Sequence, residues 1–83
     1  MSRREAFDGD LRTFAHDLNK GRARAKPGCT LEISTFTWNN LEPAERFLIT
    51  SALERHGVRY DIASQVGTAL WICPDEPPKG PGT

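Results

Sequence analysis

The sequence predicts a small α+β domain, with two helices packed on one face of a three-stranded antiparallel sheet of strand order 1-3-2. Three observations predict it. Apolar residues recur at helical spacing in two segments, near residues 10–20 and 41–55. They alternate with polar residues in two others, 29–37 and 58–63. A last run, Thr68–Cys73, is apolar on both faces, as a central strand is.

The elements follow in order. Phe7, Leu11, Phe14, Ala15 and Leu18 form one apolar stripe. Ser2 with Glu5 has the form of a capping box, but Gly9 weakens the first turns. Asp8 or Asp10 is then the N-cap of a helix over about residues 10–20, and Gly21 stops it. A basic linker, 22–28, ends in the turn signal Pro27-Gly28. Cys29–Thr37 alternates with Cys29, Leu31 and Ile33 on one face, and reads as a half-buried strand. Asn39-Asn40 ends that strand. Pro43 suits the first turn of a second helix, whose apolar side is Leu41, Ala44, Leu48, Ile49 and Ala52 and which Gly57 stops. Val58, Tyr60 and Ile62 share a face of the next strand, and 64–67 is turn material.

The strand–helix–strand crossover makes the first two strands parallel. The third, apolar on both faces, is placed between them and antiparallel to both. Both helices then cover one sheet face, and Trp71 lies on the other. Residues 1–74 form the domain, and the Pro- and Gly-rich stretch 75–83 reads as a disordered tail.

With 83 residues the chain has room for one modest core. No apolar run reaches the roughly 20 residues that span a bilayer. The start, MSRREAF, has no apolar signal-peptide stretch. The expectation is a soluble, cytoplasmic protein without membrane contact. Its two cysteines, Cys29 and Cys73, have no metal spacing, and in a reducing compartment they read as small buried hydrophobes. In strand order 1-3-2 the two are neighbours, which leaves a disulfide as the alternative.

No catalytic centre, cofactor or metal site is expected. The two histidines, His16 and His56, have no nucleophile at recognisable spacing, and the glycines stand singly rather than in a phosphate loop. Binding is the expected role. The net charge is zero but unevenly spread. Residues 1–26 hold seven bases against four acids, and the remainder holds four against seven. Four bases, Lys20, Arg22, Arg24 and Lys26, fall in seven positions without an acid. They form an anion-binding patch or the solvated end of a helix.

The stretch LEISTFTWNNLEPAERFLITSALERHGVRYDIASQVGTALWI resembles the R3H domain, a family named for an Arg-x-x-x-His signature and associated with single-stranded DNA and RNA. A polar, Pro-containing turn leads into a helix opened by Glu45-Arg46 and closed by Glu54-Arg55-His56-Gly57. A Val-Arg-Tyr-Asp strand, a turn and an apolar strand follow. The resemblance covers residues 10–74 and puts Arg46 at the signature arginine, with Thr50 at the histidine. The family's turn before the last strand is usually Gly-rich and followed by basic residues, and the matching stretch here, 64–70, has no base. The resemblance implies a single-stranded nucleic-acid binder using phosphate contacts from Arg46, Arg55, Arg59, Lys20, Arg22, Arg24 and Lys26, with Thr50 assisting. The alternative is a protein-interaction module that keeps the fold and contacts a protein or a second copy through Trp71, Phe36 and Trp38, or through an unpaired strand edge. A phage- or mobile-element-type inhibitor is one form of that alternative.

Overall fold

The computed structural model describes residues 2–64 and 67–74, and the stretch read as a tail lies outside them. Four strands and three helices follow in the order β1 (Ser2–Ala6), α1 (Leu11–Asn19), β2 (Thr30–Ser34), α2 (Thr35–Asn39), α3 (Pro43–Arg55), β3 (Arg59–Ser64) and β4 (Ala69–Pro74). The strands make one mixed sheet of order β1-β4-β2-β3.

The α+β class agrees with the sequence, but the three-stranded antiparallel sheet of order 1-3-2 is corrected in three respects. First, β2 takes the position between β4 and β3. It pairs parallel with β3, as the crossover requires, and antiparallel with β4. β3 suits an edge because its Arg59 and Asp61 are exposed. Second, β4 is interior, as its two apolar faces require, but its outer neighbour is β1. Ser2–Ala6 pairs antiparallel with Leu70–Pro74, so the residues read as a capping box form a strand. Third, the strand expected over Cys29–Thr37 ends at Ser34. The Ser34 hydroxyl accepts from the Thr37 N–H at 3.4 Å and starts the short helix α2, which carries Phe36 and Trp38.

Asp10 is the N-cap of α1, its carboxylate accepting from the Arg12 N–H at 2.7 Å. At the other end Gly21 takes φ +75°, a conformation that favours glycine. A capping box between Glu42 and Glu45 opens α3, with Pro43 in its first turn.

Register decides which sheet face is buried. Leu31 stands opposite Trp71, and Ile33 opposite Ala69. Leu31 and Ile33 carry the helices, so Ala69, Trp71 and Cys73 turn inward with them. Leu11, Ala15 and Leu18 of α1 and Ile49, Ala52 and Leu53 of α3 close the core. Trp71 is only 5% exposed, with its ring edge-on to Phe14 at 6.0 Å. The expected open-face Trp71 is therefore corrected. Leu70 and Ile72 line the open face in its place, half-buried among Thr30, Glu32, Arg4 and Arg59. Cys29 and Cys73 are joined in a disulfide, their Cα atoms 4.3 Å apart. That spacing is near the roughly 4.5 Å of a non-hydrogen-bonded antiparallel pair. Of the two readings of these cysteines, the bonded one holds.

Candidate nucleic-acid interface

α1 and α3 run side by side in the same direction. At their N-terminal ends Arg12 donates to the Glu45 carboxylate at 2.6 Å. At their C-terminal ends the His56 ring nitrogen and the Asn19 side-chain oxygen lie 3.0 Å apart. Both helix C-termini therefore sit at one pole of the molecule. The strands converge there too: β2 and β3 begin at that pole, and the antiparallel β4 ends there beside the start of β1.

This topology gathers bases that are far apart in sequence. Lys20 follows α1 directly, and the Arg22 N–H returns to the Asp17 carbonyl at 2.7 Å, holding Arg22 at the helix end. Arg24 continues the same linker. Arg55 closes α3, and the Val58 N–H reaches back to Leu53 at 2.8 Å, so Arg59 starts β3 beside it. Arg3 and Arg4 come in from β1, opposite Cys73 and Ile72. All seven are exposed, and among the described residues none has a side-chain hydrogen bond or ion pair. Among the described residues, the acids near this pole include Asp17, Glu54 and Glu5, and two of these are engaged. Tyr60 donates to Glu54 at 3.3 Å, and Lys26 pairs with Glu5 at 2.6 Å. The Lys26 hydrogen bond and charge hold the Glu5 carboxyl below its ordinary range.

The opposite pole carries Asp8, Asp10, Glu42 and Glu45 against Arg12 and Arg46. Arg12 bridges Asp10 and Glu45 there at 2.8 and 2.6 Å. Its hydrogen bonds hold the Asp10 carboxyl below its usual range. Glu45 is lowered first by the Glu42 N–H and then by Arg12. Among the described residues, charge is thus polarised between the two poles. Acids at helix N-termini and bases at C-termini are what helix dipoles favour, and that accounts for Lys20 and Arg55. It does not account for Arg3, Arg4 and Arg59, which stand on strands.

The expected site residues separate into groups. Lys20, Arg22, Arg24, Arg55 and Arg59 come together at the basic pole, while Lys26 is drawn off to Glu5. Arg46 lies in the first turn of α3 and Thr50 near its middle. The Arg46 guanidinium donates to the Trp38 and Asn39 carbonyls at 3.1 and 3.4 Å, and stacks 5.7 Å over the Trp38 ring. It closes the C-terminus of α2. The Thr50 hydroxyl donates to the Phe47 carbonyl at 3.3 Å. Trp38 is half-buried beneath Arg46, whereas Phe36 is 77% exposed and Phe47 is 74% exposed.

Sequence reasoning missed Arg3, Arg4 and Phe47. Arg3 and Arg4 lie in Ser2–Ala6, a segment whose capping-box form gave no sign of a strand. Phe47 is an aromatic on a helix whose buried stripe is Ile49, Ala52 and Leu53, and the stripe alone could have marked it as outward.

Among the described residues, no group of His, Cys, Asp and Glu could hold a metal ion, and no helix is long and apolar enough to cross a membrane. No protein-family model, curated protein or solved structure matches the chain.

Proposed function

We propose that this domain binds single-stranded nucleic acid through phosphate contacts at the basic pole where α1 and α3 end. One observation carries the reading: exposed, unpaired bases from three separate parts of the chain meet there. Arg3 and Arg4, Arg22, and Arg55 with Arg59 are brought to one pole by the parallel helices and the β1–β4 pairing, with Arg4 and Arg59 on the open sheet face. Guanidinium groups suit phosphate because their forked donors match its oxygens. The resemblance to the R3H domain supports the same ligand class. It assigns a different centre, however, because Arg46 is committed to α2 and Thr50 to its own helix. Phosphate binding through Arg22 and Arg55, rather than through Arg46, is the form of the proposal we favour.

A cytoplasmic setting belongs to this proposal. There the Cys29–Cys73 pair would face a pool that keeps most thiols reduced. Fluorescence anisotropy with labelled single-stranded DNA and RNA tests the reading. Binding should weaken in Arg22→Ala and Arg55→Ala, and hold in Arg46→Ala. Loss in Arg46→Ala alone would return the site to the signature arginine. A second reading, a protein-interaction module, is favoured by the exposed rings of Phe36 and Phe47.

A further inference from the structure

We infer that the Cys29–Cys73 disulfide is a redox switch for the basic pole: a dithiol reductant opens the bond, frees the linker 20–28 that carries Arg22 and Arg24, and weakens nucleic-acid binding. This rests on the binding role proposed above and adds its regulation.

Strand register places the bond among the bases. The β2–β4 ladder has Thr30 opposite Ile72, and one residue further along it Cys29 meets Cys73. The bond therefore closes the end of that ladder at the basic pole. On its other side Cys73 stands opposite Arg3 of β1. Thr30, the residue after Cys29, stands opposite Arg59 of β3. The basic linker runs directly into Cys29. One covalent link thus joins the strand ends that carry Arg3 and Arg59 to the segment that carries Arg22 and Arg24.

The linker has little else to fix it. Its start is tied to α1, where the Arg22 and Ala23 N–H groups donate to the Asp17 carbonyl at 2.7 and 3.2 Å. Among the described residues, the N–H groups of Arg24, Ala25, Lys26 and Gly28 have no hydrogen-bond partner. Ala23 and Ala25 reach the core with one methyl each. At the far end the Cys29 N–H donates to the Lys26 carbonyl at 3.1 Å. Lys26 pairs with Glu5 in solvent, and such a pair holds a chain weakly. With the disulfide open, the end of the β2–β4 ladder frays at little cost. Arg22 and Arg24 then lose their fixed place at the pole of Arg55 and Arg59, and binding has to order the linker first.

The opening is a thiol–disulfide exchange. Cys29 is 8% exposed and Cys73 2%, so a thiolate of the reductant attacks at Cys29 and Cys73 leaves as a thiolate. The reductant's second thiolate then attacks its own sulfur in the mixed disulfide and releases Cys29. The reductant ends as a disulfide, and the two electrons and two protons that it gives up leave both cysteines as thiols.

The test uses the full chain, a labelled single-stranded oligonucleotide at low salt, and a temperature at which circular dichroism shows the reduced chain folded. Dithiothreitol should raise the dissociation constant about fivefold or more, and reoxidation should restore it. Cys29→Ala should bind as the reduced chain does, with or without dithiothreitol. Without oligonucleotide, trypsin should cut after Arg22 and Arg24 several-fold faster in the reduced chain. Equal affinity in the two states would overturn the inference and leave the binding role standing. Equal cleavage in the two states would also overturn it, because the bond would then not hold the linker. So would a reduced chain that is unfolded at every temperature, because the bond would then be a condition of folding. Absence of binding by the oxidised chain would overturn the binding role itself, and the switch with it.

Discussion

Reducing the Cys29–Cys73 bond should cost this domain a large share of its stability. The two cysteines are 44 residues apart, so the bond closes more than half of the chain into a loop. Loop-closure entropy gives about 3 kcal/mol for a 15-residue loop and about 4.7 for a 100-residue one, which places this bond near 4 kcal/mol. Folding stability for a domain is typically about 5–15 kcal/mol. In a domain of this size 1 kcal/mol moves the melting temperature by about 4–8 °C, so the expected fall is on the order of 15–30 °C. Reduction is a better perturbation than substitution, since it leaves both side chains in the core, where Cys73 is 2% exposed. The assay compares thermal melts of the chain with and without a phosphine reductant, with the bond state read by mass in each sample. A fall under about 5 °C on full reduction would refute the reasoning, because β2 and β4 would then be held together without the staple.

Further expectations concern the core, α2 and pH. Trp71→Ala should destabilise the fold by about 3–5 kcal/mol, read as a lower urea midpoint, because it removes a buried ring packed on Phe14. A change below about 1 kcal/mol would mean that Trp71 is not part of the core. Arg46→Ala should cost about 1–2 kcal/mol by freeing the Trp38 and Asn39 carbonyls, while oligonucleotide affinity stays unchanged. Stability should hold from neutral pH down to about 5, then fall as pH drops through the ordinary carboxylate range near 4. The sign follows from Asp10, Glu45 and Glu5, whose folded values are depressed by their bonds to Arg12, the Glu42 N–H and Lys26. Their contribution is present above the unfolded value and is lost on protonation. A urea midpoint that rises on acidification would contradict it.

Much of the fold is legible in the sequence because local rules and tertiary packing agree there. The periodicity of Leu11, Ala15 and Leu18, the cap at Asp10 and the stop at Gly21 give α1 within a residue or two. The two-faced hydrophobicity of β4 marks it as interior. Other features depend on contacts that no local rule encodes. Ser2–Ala6 has the charges and capping form of a helix start and becomes a strand only because β4 offers a free edge. Trp71 and Leu70 are both apolar, so parity alone could not say which faces the helices. That choice rests on the register between Leu31 and Trp71. The basic pole is similarly non-local. Lys20 to Arg24 and Arg55 to Arg59 are recognisable as clusters, yet their meeting depends on α1 and α3 lying parallel, which is fixed by Arg12–Glu45 and Asn19–His56. Arg46 is expected at a signature position, and in the structure it closes the end of α2.

The most direct test of the proposed role is the salt dependence of binding to a labelled single-stranded oligonucleotide. It compares the natural chain with a variant carrying Arg4→Ala, Arg22→Ala and Arg55→Ala, all exposed and unpaired at the basic pole. For single strands the logarithm of the binding constant falls with the logarithm of salt concentration, with a slope near −0.7 for each phosphate neutralised. The account predicts measurable binding at low salt and a slope shallower by about 2 in the triple variant, with its melting temperature little changed. Absence of binding at low salt, or an unchanged slope in the triple variant, would contradict it.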